Sequence, residues 1–190
     1  MSKRIAKMVG AACVATLWCS PSWAQEQVVS DMERPTWEFY GDVEISQVAA
    51  EAVPGGQMLR AQVIRQGENF WDSAAKSEPL PTTIEEGQIV TLGFFARAGS
   101  EGEVWVNANV GEIAAPYSTA VIGRINLTQE GGFYCLEGVS DLRLGRGDAK
   151  VTLHMGGAVQ TVDLGPYVVT ARSTEDGATG LPCTEYITSW

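Results

Sequence analysis

The sequence predicts an all-β protein, a single sandwich or barrel of antiparallel strands. Three observations predict it. Apolar residues alternate with polar ones at a period of two over several short runs, and nowhere recur convincingly at the period of a helix. Clusters of Gly, Pro, Asn and Asp punctuate those runs at short intervals. No internal repeat, low-complexity tract or composition shift marks a second domain.

The first 24 residues are read apart from the fold. Lys3, Arg4 and Lys7 form a basic start, residues 8–18 an apolar run, and Ser22 and Ala24 the small-residue pattern of a peptidase site before Gln25. The apolar run is about half of what a bilayer span requires. A signal peptide at 1–24 therefore predicts export, to the periplasm or the medium, with no membrane insertion. No Leu-type residue stands three before Cys13 or Cys19, which argues against a lipoprotein. Without the leader, ten basic residues remain against 23 acidic ones, a net charge of −13. An acidic chain with no basic cluster repels nucleic acid and anionic membrane surfaces.

Cys13 and Cys19 leave with the leader, and Cys135 and Cys183 remain. In an oxidising compartment this even pair predicts a disulfide, closing a loop of roughly 50 residues that the chain-entropy model values at about 4 kcal/mol. It would tie the C-terminal tail to the sandwich. The alternative is two separate buried thiols.

In chain order, residues 25–35 read as a flexible lead-in. Residues 37–45 carry aromatic and β-branched residues around Gly41-Asp42 and read as one strand or two short ones. Pro54-Gly55-Gly56 turns the chain into a half-buried strand at 58–65, where Leu59, Ala61 and Val63 alternate with Arg60 and Gln62. Residues 67–83 form a long polar loop with Pro79 and Pro81, of the kind that carries function in a compact domain. Residues 89–98 are nearly continuously apolar, as a central strand covered on both faces would be. Residues 103–110 put Val104, Val106, Ala108 and Val110 on one face and Trp105, Asn107 and Asn109 on the other. Residues 117–126 are more weakly patterned, a loop and a strand. Strands follow at 133–139 and at 150–155, where Val151, Leu153 and Met155 face inward and Thr152 and His154 outward. Residues 159–171 close the pattern, broken at Gly165-Pro166. The sandwich thus covers 36–171, and 172–190 form a turn-rich tail.

The order of motifs resembles that of a known family. Val53-Pro54-Gly55-Gly56 leads into Leu59-Arg60-Ala61 and Val63, and Asn69, Trp71 and Asp72 follow. An acidic-Gly turn then enters a strand ending Phe95-Ala96-Arg97-Ala98, and Pro116-Tyr117 and Leu164-Gly165-Pro166 come later. From Asp42 to Ala171 this is similar to the jelly-roll carbohydrate-binding modules of the galactose-binding-domain-like superfamily, which accompany secreted xylan- and glucan-degrading enzymes. The resemblance implies a jelly-roll β-sandwich of two antiparallel sheets, sugar binding by aromatic side chains, and a structural calcium. It places the first and last strands close together, so Asp42, Glu44 and Asp163 are the residues that would offer oxygens to calcium. The sequence shows the module without a catalytic domain, which leaves open whether a partner enzyme or a surface protein accompanies it.

The residues themselves suggest where a ligand would sit. Trp105, with Asn107 and Asn109 at two-residue spacing, offers a flat apolar platform beside amides that both donate and accept, as a pyranose requires. The plainer alternative packs Trp105 under a loop and leaves the asparagines solvated. Phe70-Trp71-Asp72 sits in the long loop, where large aromatics either bind a ligand or plug the end of the sandwich. The plug is the simpler reading, and Asp72 would cap a turn, ligate calcium or bind a hydroxyl. Tyr117 is a third platform.

Catalysis finds little support. His154 is the only histidine, without a Ser, Cys or acid partner nearby in sequence, and reads as a strand-surface residue. Two distant cysteines do not make a zinc site. No nucleophile elbow, phosphate loop or dinucleotide fingerprint is present. The sequence therefore predicts an exported, non-catalytic protein that binds a polysaccharide or oligosaccharide by stacking and hydrogen bonds. One alternative is a periplasmic or cell-surface protein-interaction module with its aromatics buried. The other is a small polysaccharide hydrolase or lyase with two acids in a cleft.

Overall fold

The computed structural model describes residues 26–30 and 36–189. The expected signal peptide and half of the expected lead-in lie outside the described residues. Those described form two packed sheets, an antiparallel β-sandwich. The larger sheet runs in the order β12 (Glu185–Thr188), β9 (Gly132–Val139), β6 (Ile89–Ala98), β11 (Thr161–Arg172), β4 (Gln57–Val63) and β3 (Val43–Ala49). A short β1 (Gln27–Val28) pairs with Thr170 and Ala171 of β11. The smaller sheet runs β2 (Glu38–Tyr40), β5 (Ala74–Lys76), β10 (Ala149–His154), β7 (Val104–Glu112) and β8 (Thr119–Leu127). Every strand pair is antiparallel except β12 on β9.

The period-two alternation builds the core, because successive side chains of a strand point to opposite faces. Val90, Leu92 and Phe94 of β6 and Val162, Leu164 and Val169 of β11 face Val104, Val106, Ala108 and Val110 of β7 and Val151 and Leu153 of β10. Each of them is 1% exposed or less. The Gly165-Pro166 break is a register shift within β11, between Leu164 and Tyr167. There the indole of Trp37 donates to the Gly165 carbonyl at 2.8 Å and packs on Tyr167 with ring centroids 4.7 Å apart.

Three expectations change. Glu26–Ser30 are not a free lead-in: β1 joins the sheet, and the Glu26 carboxylate accepts from Thr170 at 2.5 Å, Thr179 at 2.7 Å and the Gly180 amide at 3.0 Å. The long loop holds a single turn of 3-10 helix, Phe70–Asp72, and then β5. The turn-rich tail ends in a strand, β12.

That tail covers the outer face of the larger sheet. The expected disulfide between Cys135 and Cys183 is present, in a small apolar cluster with Phe133, Val168, Phe95 and Leu181. Beside it Arg172, 4% exposed, donates to the Gly177 carbonyl and to Thr91 and pairs with Glu137 at 2.7 Å. Ser189 then reaches the smaller sheet, donating to the Ile122 carbonyl and accepting from its amide, both at 3.0 Å. Among the described residues no such cover lies over the outer face of the smaller sheet, whose middle is a cleft.

Candidate functional site

Strand register brings the floor of this cleft together. Outward-facing Asn109 of β7 lies opposite Thr152 of β10 on one side and Ile122 of β8 on the other. Thr152 lies opposite Lys76 of β5, and Lys150 opposite Gly111 of β7. The cleft holds about 570 Å³. That falls within the roughly 300–1,000 Å³ usual for ligand sites.

Two loops raise walls at opposite ends of β10. The 3-10 turn sits where β10 finishes: the Phe70 carbonyl accepts from the Gly156 amide at 2.9 Å, and the Ser73 carbonyl from Met155. A Cβ at Gly156 would lie 2.7 Å from the Ser73 amide, so glycine there lets the two segments close. The turn at 113–118 sits where β10 begins, with Ile113 donating to the Asp148 carbonyl at 3.0 Å. Each loop exposes one aromatic at the cleft: Trp71 is 49% exposed and Tyr117 66%. Tyr117 follows a cis Ala115–Pro116 bond and has a φ of 62°, in the left-handed region that a bulky side chain rarely adopts. Such residues concentrate at ligand sites, where the surroundings hold them. The Trp71 wall is braced from below by the Tyr40 hydroxyl, which donates to the Trp71 carbonyl at 3.1 Å. Burial and the nearby Asp72 charge raise the pKa of that phenol, so it stays a donor.

Lys76 pairs with Glu38 at 3.3 Å and stands 5.9 Å from the Tyr40 ring centroid. His154 closes the Trp71 end of the floor, edge-on to Phe70 with centroids 5.5 Å apart, its Nδ1 buried without a hydrogen-bond partner. Burial, and then the Lys150 charge, push its pKa down to about 4, so the imidazole is neutral at physiological pH. Between about 4 and the ordinary 6.5 the unfolded chain binds a proton that the folded one does not. Stability is therefore complete above 6.5 and falls as pH drops through that window. With solvent reaching part of the ring, the loss is about 1–2 kcal/mol. Denaturant midpoints of wild type and His154→Gln at pH 7 and pH 4.5 check this: the variant is expected to lose distinctly less on acidification, and parallel losses would contradict it.

The candidate residues read from the sequence divide. Trp71, Tyr117 and Asn109 line this one cleft. Of the aromatic pair, Phe70 is the half-buried part and Trp71 the exposed part. Trp105 does not line the cleft. Its ring carries the Arg124 guanidinium at 4.2 Å, and its edge fills the space above Gly157, where a Cβ would lie 2.5 Å from the indole. Asn107 sits beside it in the same row, opposite His154 and Arg124. Asp72 caps the 3-10 turn, accepting from the Asn69 amide at 2.9 Å.

The calcium set does not assemble. Asp163 is fully buried and both its oxygens are taken, by Arg60 at 2.7 and 2.9 Å and Arg97 at 2.7 Å. Asp42 is ion-paired with Arg65, and Glu44 is an exposed residue of β3. Among the described residues no group of three or more His, Cys, Asp or Glu side chains is placed to hold a metal ion.

Tyr40, Lys76, Lys150, Thr152 and His154 also line the cleft, though none was singled out as a ligand contact in the sequence. Lys150, Thr152 and His154 are one polar stripe on β10, produced by the same alternation that singled out Asn109 on β7.

No protein-family model matches the chain, and no curated protein matches it by sequence. Solved structures do. The second N-terminal cellulose-binding domain of Cellulomonas fimi β-1,4-glucanase C superposes with a TM-score of 0.60 at 22% identity, covering 80% of this chain and 99% of that one. The CBM22-1 xylan-binding domain of Paenibacillus barcinonensis Xyn10C gives 0.51 at 14%, covering 80% and 98%. The fold is that of these carbohydrate-binding modules. The CBM22-1–GH10 modules of Clostridium thermocellum xylanase 10B, complexed with xylohexaose, give 0.53 at 11% over 82% of this chain and 30% of that one.

Proposed function

We propose that the protein is an exported, non-catalytic glycan-binding module that lays a poly- or oligosaccharide across the outer face of its smaller sheet. One observation carries this reading: Trp71 and Tyr117 stand exposed at opposite ends of a single cleft whose floor carries the polar side chains of Asn109 and Thr152. A sugar chain needs flat apolar surfaces for its C–H faces and donors and acceptors for its hydroxyls; Asn109 and Thr152 supply the latter. The cellulose- and xylan-binding modules that share the fold favour the same ligand class. Disulfides persist in oxidising compartments, so the Cys135–Cys183 bond favours export.

Binding without chemistry fits the charge of the cleft. Among the described residues lining it, Glu112 is the one carboxylate, and its Oε2 accepts from the Ser118 amide at 2.9 Å. A glycosidase of the usual kind uses two carboxyl groups across the scissile bond. A protein-interaction module with buried aromatics does not match the exposure of Trp71.

Affinity electrophoresis through gels containing β-glucan, xylan or alginate tests the proposal. Wild type is expected to be retarded by at least one polymer. Trp71→Ala and Tyr117→Ala are each expected to weaken that binding by about 1–2 kcal/mol, roughly five- to thirtyfold. Retardation that neither substitution changes would place the ligand elsewhere on the molecule.

A further inference from the structure

Lys150 is the feature of the cleft that a neutral sugar does not explain. Among the described residues, every lysine and arginine makes an ion pair except Lys150 and Arg146, the latter an exposed turn residue away from the cleft. The whole chain carries 23 acids against 13 basic residues, so a lysine that stays unpaired is conspicuous. Lys150 is also half-buried, on a cleft-facing position of β10, two residues from Thr152. The acids near it are already engaged: Glu38 pairs with Lys76 at 3.3 Å, and Glu112 accepts from the Ser118 amide.

From this placement we propose that the cleft is built for an acidic glycan, a chain whose uronate carboxylates pair with Lys150. The inference rests on the reading of the cleft as a glycan site. A lysine held in a partly desolvated cleft without an ion pair is a cost in the free protein, and a ligand carboxylate reduces it. Burial, and then the Lys76 charge, already depress the pKa of Lys150, while Glu38 pulls weakly the other way. A carboxylate arriving from the ligand offsets both effects. The resulting charge-assisted hydrogen bond is about twice as strong as one to a neutral hydroxyl. Thr152 and Asn109, paired across β10 and β7, are placed to take hydroxyls of the same sugar residue. The acidity of the chain as a whole opposes a polyanion at long range, but at physiological salt that field fades within about 8 Å.

The test uses matched polymers: glucuronoxylan, polygalacturonate and alginate, each intact and with its carboxyl groups reduced to primary alcohols, titrated at physiological salt. Neutral β-glucan serves as a further probe. For the polymer that binds, the intact form is expected to bind about tenfold tighter than its reduced form. Lys150→Met is expected to collapse that ratio toward one, and Lys150→Arg to keep it. Equal or tighter binding of the reduced form would overturn the proposal, as would a ratio that survives Lys150→Met. Binding to β-glucan alone would also overturn it while leaving the glycan site standing. Binding to none of the polymers would overturn the glycan reading itself.

Discussion

Asp163→Ala is expected to cost about 3–5 kcal/mol of stability, the range for removing one member of a buried ion pair. Asp163 lies near the start of β11, directly opposite Arg60 of β4 and Arg97 of β6, so one fully buried carboxylate joins three adjacent strands. Burial alone would raise its pKa. The hydrogen bonds and charges of Arg60 and then Arg97 outweigh that and hold it below the ordinary 3.8. A depressed carboxylate stabilises the fold at all pH values above its unfolded pKa, and the contribution is lost only as pH falls through and below that value. At neutral pH it is fully present. The alanine variant leaves two guanidiniums facing one another over a void. Arg60 and Arg97 are about a third exposed, 36% and 30%, so rehydration draws the cost toward the lower end. Urea midpoints measure it at pH 7. A loss under about 1 kcal/mol would mean that the three strands hold together without the triad.

Replacing both Cys135 and Cys183 with alanine is expected to cost about 2–4 kcal/mol. The crosslink spans 48 residues of sequence. The chain-entropy model gives about 4 kcal/mol for a loop of that length. The native contacts of the tail set how much of that is felt. The tail is also held by the parallel pairing of β12 on β9, by Thr184 on the Phe133 amide and by Ser189 on β8. These contacts are local, and without the covalent tie they should open together. Hydrogen exchange should therefore rise across residues 173–189 in the double variant while β6, β7 and β11 stay protected. A denaturation midpoint unchanged from wild type, with the tail still protected, would show that the hydrogen bonds suffice.

The fold was legible because its signal is local. Val104, Val106, Ala108 and Val110 alternate within one strand, and Gly93 and Phe95 on the outer face of β6 pack under Leu181 of the tail. The site was less legible because strand register assembles it. Lys76, Thr152 and Asn109 come from three strands far apart in sequence and are adjacent only through pairing. Trp71 and Tyr117 stood out as loop aromatics, yet nothing in the chain shows that their loops leave opposite ends of β10. Trp105 had the better sequence argument, a tryptophan flanked by asparagines, and the less open setting. Arg124 arrives over its ring from β8 two positions off the paired register, which no spacing within β7 reveals. The calcium set failed for the same reason: the arginines that neutralise Asp163 lie 103 and 66 residues away.

The most direct test of the glycan cleft is a nitrogen-15 NMR titration of the protein with the oligosaccharide of whichever polymer retards it. The indole Nε1 resonance of Trp71 and the amides of Tyr117, Asn109 and Thr152 are expected to shift together with one affinity. The Trp37 indole, which donates to the Gly165 carbonyl, should stay still. Shifts confined to the outer face of the larger sheet, or to the surface around Trp105, would contradict the account.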